Sequence, residues 1–174
     1  MSYTISLTSR EEVEVHRFSW PVSIGVPLLA IFVQVFVSKW LTFIKVFDLP
    51  LLVTIFFAVA RRRPIPGTIT GALIGTVQDA FASPVIGLNG IAKTMIGYLA
   101  SSLGVRIDVE NPGSRFIMTF AFCVVHRIIY MIIERGLVGG NEPWMWAHTL
   151  LSSVANALLA VALFALLDRF KLRS

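Results

Sequence analysis

Apolar residues run along the chain in six long stretches, and charged residues fall mostly in the short gaps between them. The stretches cover 21–37, 49–60, 65–82, 88–105, 116–133 and 146–167. A helix that crosses the hydrocarbon of a bilayer takes about 20 apolar residues, within a range near 17–25. The second stretch, at 12 residues, is too short. It either extends backward through "WLTFIKVF" or forms a thin or tilted element. Pro27 predicts a kink in the first stretch. The short gaps predict that sequence neighbours pack as antiparallel pairs. The pattern therefore predicts one all-α membrane domain, 1–174, with six transmembrane helices in one bundle behind a polar segment, 1–20.

Composition agrees with that pattern. The chain is 56% hydrophobic with a mean hydropathy of +0.77, and 14% of its residues are charged, against roughly 25% in a soluble domain. The polar start does not read as a secretory signal, because Glu11, Glu12 and Glu14 stand where basic residues belong. Ser9 and Glu12 fit a capping box, and Val13, Phe18 and Trp20 are placed to rest a short helix on the bilayer surface. The single cysteine, Cys123, excludes an intrachain disulfide and a cysteine-based metal site.

The net charge of +5 gains meaning from its placement. With the N-terminus inside, ten basic residues face the cytoplasm: Arg10, Arg17, Arg61, Arg62, Arg63, Arg106, Arg115, Arg169, Lys171 and Arg173. Three face outward (Lys39, Lys45 and Arg135), and Lys93 and Arg127 fall within stretches. This bias predicts both termini in the cytoplasm and accounts for the basic charge without nucleic acid. The Arg61–Arg63 turn is a topology anchor that also suits anionic headgroups. Trp40, Trp144 and Trp146 fall at predicted interfaces, where indole rings collect.

Gly67, Gly71 and Gly75 recur at every fourth position of the third stretch and so lie on one helix face. Gly90, Thr94, Gly97, Ser101 and Gly104 form a second seam of small residues in the fourth. Such strips let membrane helices approach closely. Either the two seams pack against each other, or one is a groove kept for a partner.

Charges inside membrane spans face the bundle interior and find partners. Asp79 and Lys93 flank one turn and are expected to form an ion pair, or to share a polar network with Asn89. The fifth stretch aligns His126, Tyr130 and Glu134 at steps of four, with Arg127 adjacent, and the sixth aligns His148, Ser152 and Asn156. Gln34 lies near the outer end of the first. In the assigned orientation these groups gather in the outer half of the bundle, which predicts a cavity open outward or an interface on that side.

Little here points to catalysis. Asp79 lacks the second aspartate of an aspartyl intramembrane protease, and nothing marks Ser101, Ser102, Ser152 or Ser153 as a nucleophile. His126 and His148 without placed carboxylates make a weak metal site. No cofactor is expected.

The segment from Asp48-Leu49 through Arg61–Arg63, Gly67/Gly71/Gly75/Gln78/Asp79, Pro84, Gly87-Leu88 and Gly97-Tyr98-Leu99 resembles the rod shape-determining MreD family over roughly residues 47–105. The resemblance implies a non-enzymatic subunit of the bacterial cell-elongation machinery in the cytoplasmic (inner) membrane. It implies direct binding to MreC, a membrane-anchored protein with an extracytoplasmic domain. Links follow to MreB, to RodA and to a penicillin-binding transpeptidase, with membrane lipid around them. It also implies the six-helix fold of the substrate-binding subunits of energy-coupling-factor transporters. That fold keeps a second function open, a small-molecule-binding subunit of a vitamin transporter.

Overall fold

The six apolar stretches fold as six α-helices that alternate in direction: α1 (Trp20–Phe36), α2 (Leu49–Arg61), α3 (Pro64–Ala82), α4 (Leu88–Leu103), α5 (Pro112–Ile133) and α6 (Trp146–Leu167). The computed structural model describes residues 17–83, 85–105, 111–140, 143 and 145–172. Expectations placed on Ser9, Arg10, Glu11, Glu12, Val13, Glu14, Pro84, Arg106, Trp144 and Arg173 lie outside the described residues, as do the side chains of Arg17 and Lys171.

Prolines mark four of the six starts. They stand at the first or second position of α1, α2, α3 and α5, where the missing N–H has no partner inside the helix. Pro27 is buried within α1. Of the described helices, those containing α1, α5 and α6 are long and apolar enough to cross a membrane.

The shortness of the second stretch has a physical cause. Its residues from Pro50 to Ala60 are all buried, so α2 lies inside the bundle, where its length need not match the bilayer. It does not extend back through "WLTFIKVF". That segment contains a short 3₁₀ turn, Thr42–Val46, and another, Val37–Lys39, precedes it. Around α2 packs an aromatic cluster of Phe18, Phe56, Phe57 and Phe164, with ring centroids 5.1–5.6 Å apart.

The helix ends separate into two groups. At one end Arg61 of α2 donates to Ser23 of α1 at 3.1 Å and to Thr70 of α3 at 3.2 Å, and Arg115 of α5 pairs with Asp168 after α6. The two described chain ends meet there as well: β1 (Arg17–Phe18) pairs antiparallel with β2 (Lys171–Leu172). The other end carries Asp48, Asp79, Asn89 and the start of α6.

The glycine strip of α3 lies against α4. A side chain on Gly71 would strike the backbone of Lys93, and one on Gly75 the backbone of Asn89. A side chain on Gly67 would meet Ser101 and the Gly97 carbonyl, and one on Gly97 the Gly67 carbonyl. Gly90 faces Thr76 of the same pair. Backbone thus meets backbone, and close van der Waals contact replaces side-chain interdigitation. Along Gly67, Gly71, Gly75, Gly90 and Gly97 it is this chain's own α3 and α4 that fill the groove. Gly104 leaves the seam and faces Val59 of α2.

Candidate functional site

Asp48 is the N-cap of α2 and the centre of the polar end. Its Oδ1 accepts from the Leu51 N–H at 3.0 Å, which satisfies one of the unpaired donors of a helix start. Its Oδ2 accepts from Lys93 Nζ at 2.8 Å. Lys93 is fully buried, and its ammonium also donates to Asn89 Oδ1 at 3.3 Å. Asn89 turns its amide to Asp79, donating to Oδ1 at 2.8 Å.

Of the two expected arrangements, the direct Asp79–Lys93 pair is not formed, and the two residues share a polar network through Asn89. The reason is the start of α4. Gly87 takes a positive φ of 111° at the N-cap, and its N–H donates to Asp79 Oδ2 at 2.9 Å, as the Gly90 N–H does at 3.1 Å. A helix N-terminus offers unpaired donors and partial positive charge to an anion. That leaves Lys93, one turn deeper, to reach α2.

Two amides anchor the other side of Asp48. Asn156 of α6 accepts from the Asp48 N–H at 2.9 Å and donates to the Val46 and Ser152 carbonyls at 2.9 and 2.8 Å. Gln34 of α1 accepts from the Leu49 N–H at 3.2 Å. One hydrogen-bonded network thus joins α1, α2, α3, α4 and α6.

A recess of about 290 Å³ opens over this network. His126, Arg127 and Tyr130 of α5 line it, as do His148, Ser152 and Asn156 of α6. Gln78 and Asn89 face it from α3 and α4, and Lys45 from the preceding turn. The His126 and Tyr130 rings lie 6.4 Å apart, and Arg127 sits 5.9 Å over the Tyr130 ring. Two atoms at this site are incomplete. Gln78 and His126 are each 8% exposed, and Gln78 Oε1 and His126 Nε2 find no hydrogen-bond partner among the described residues. Buried polar atoms left unpaired are rare and costly.

Glu134 keeps the α-helical step from Tyr130, whose carbonyl accepts its N–H. It begins a π-helical turn, Glu134–Val138, at the end of α5 and is not part of the recess lining. Asp79 is fully buried beneath the recess rather than lining it. Asp48, Gln78 and Asn156 were not singled out together by sequence reasoning. The Asp-Leu and Gln-Asp pairs mark the first two, but only the fold shows what each touches. Among the described residues no three His, Cys, Asp or Glu side chains gather around a possible metal position.

Arg61, Arg62 and Arg63 stand at the opposite end, in the turn from α2 to α3. Arg62 takes φ 51° there as the C-cap of α2, a left-handed conformation that costs a non-glycine residue about 1–2 kcal/mol.

No curated protein and no solved structure matches the chain, so the likeness to the transporter subunits has no structural match behind it. The family model described as rod shape-determining protein MreD matches residues 16–170. That match runs through every helix and includes the Asp48, Asp79 and Lys93 network, and the chain belongs to the MreD family of rod shape-determining membrane proteins.

Proposed function

We propose that this chain is a non-enzymatic scaffold subunit of the cell-elongation machinery that binds MreC directly. Through MreC it connects to MreB, RodA and a penicillin-binding transpeptidase. It lies in the inner membrane as six spans, with both termini and the Arg61–Arg63 corner in the cytoplasm and the recess facing out. The excess of arginine around the Arg61 end supports that orientation.

One observation carries the reading: a polar recess whose buried Gln78 Oε1 and His126 Nε2 lack partners among the described residues, on a bundle whose small-residue seam is already filled. An incoming segment that supplies a donor to Gln78 and a polar group to His126 would complete both. Lys45 and Arg127 at the same recess favour a segment that also brings a carboxylate. MreC has its membrane-proximal chain on that side. Co-purification of tagged MreC with Gln78→Leu/His126→Leu tests this. Loss of most of the MreC with the bundle still folded supports the reading, and undiminished recovery contradicts it.

The second reading, a vitamin-binding transporter subunit, draws on the same recess. Its volume of about 290 Å³ stands at the lower edge of the roughly 300–1,000 Å³ usual for small-ligand pockets. Mass spectrometry of the purified protein decides for it if a stoichiometric small molecule is retained and lost in the Gln78→Leu/His126→Leu variant.

A further inference from the structure

A second, larger cavity lies on the flank of the bundle, away from the recess. It is a groove of about 810 Å³ between α1 and α3. Ile24, Leu28 and Ile31 form one wall, and Ile69, Leu73 and Ile74 the other. Leu28 and Leu73 are 53% and 63% exposed, whereas Ile31 and Ile74 are buried at its floor.

Among the described residues, Arg61 is the one charged residue that lines the groove, and it closes one end. Its guanidinium is held by the hydroxyls of Ser23 and Thr70, one from each wall, and lies 5.2 Å over the Phe57 ring. Among the described residues no carboxylate pairs with it. A guanidinium carries five N–H donors, and neutral hydroxyls leave its charge uncompensated.

Length separates the occupants. The walls run from Trp20 to Ile31 and from Pro66 to Val77, and eleven steps of helix rise about 16 Å. Half of a bilayer's hydrocarbon is about 15 Å. A spanning helix from a partner would extend about twice as far. We infer that this groove holds an acyl chain of an anionic phospholipid whose phosphate sits on Arg61, in the leaflet on the Arg61 side. The apolar walls take the chain, and the planar, permanently charged fork matches a phosphate bidentately. Basic pockets between membrane helices bind acidic headgroups in the same way.

The test is native mass spectrometry of the full chain taken from nanodiscs of phosphatidylglycerol or of phosphatidylcholine. Retention of phosphatidylglycerol is expected to exceed that of phosphatidylcholine by roughly fivefold, because both carry the phosphate but the choline cation of phosphatidylcholine offsets its attraction to the arginine. Arg61→Gln is expected to remove the preference, and Arg61→Lys to restore part of it. Leu73→Trp, at an exposed position, is expected to displace both lipids from a folded protein, and it carries the test if Arg61→Gln fails to fold. Equal retention of the two lipids overturns the inference, as does a preference that survives Arg61→Gln or undiminished lipid binding in Leu73→Trp. A photo-crosslinker at Leu73 that captures a polypeptide instead of lipid also overturns it, in favour of a partner helix.

Discussion

Lys93 Nζ and Asp48 Oδ2 lie 2.8 Å apart across 45 residues of sequence. That contact fastens the interior of α4 to the first turn of α2 beneath the recess. The lysine is fully buried and the aspartate side chain is 26% exposed, so the pair is a buried bridge with one edge toward the recess.

Removing one partner of such a pair leaves an uncompensated charge. Lys93→Met is expected to lower stability by about 3–5 kcal/mol. Asp48→Asn keeps the N-cap, because asparagine still accepts from Leu51, but it leaves the fully buried Lys93 ammonium without its carboxylate and is expected to cost no less. The double variant is expected to fall short of the sum of the two losses. Thermal unfolding in detergent of the four proteins of this cycle measures it, and simple additivity would refute the coupling.

The glycine seam makes an opposite demand on two kinds of site. Gly71→Ala and Gly75→Ala push a methyl into the α4 backbone and are expected to cost at least about 1–3 kcal/mol each. Gly25→Ala, where nothing lies within 4 Å, is expected to be neutral or to stabilise by up to about 1 kcal/mol. Equal unfolding temperatures for all three would contradict the close approach of α3 and α4.

Asn156 serves both sides of the chain at the start of α2. Asn156→Leu strips the Asp48 N–H of its acceptor and the Val46 carbonyl of its donor. Each buried group left unpaired costs about 1–3 kcal/mol. Hydrogen exchange at residues 46–52 reads this directly, and faster exchange confined to that segment is the expected outcome.

Gln78 and His126 predict the reverse pattern. Their orphaned atoms contribute nothing to the fold, so Gln78→Leu and His126→Leu are expected to leave the unfolding temperature unchanged or raise it while MreC binding falls. Loss of stability in both would mean that each already has a partner inside the protein.

Part of this arrangement is legible in the chain itself. A glycine at every fourth position announces a helix face that touches backbone, and Asp79 and Lys93 announce a buried polar end. Their partners are harder to read. Asp48 reaches Lys93 only because α2 is threaded between the other helices, and no local period encodes a contact across 45 residues. Asp79 binds backbone N–H groups, which every sequence contains. Glu134 keeps the step of four from Tyr130, but the recess lining on α5 ends at Tyr130, a depth that periodicity alone does not give. The shortness of α2 looks like a defect in a list of spans and becomes intelligible once its burial is seen.

The most direct test of the scaffold account is photo-crosslinking in cells from the recess and from the lipid-facing flank. A photoreactive residue at Arg127 or His148 is expected to capture MreC, and one at Leu73 is not. Capture of MreC from Leu73 alone, or no MreC adduct at Arg127 and His148 in cells that make both proteins, would contradict the account.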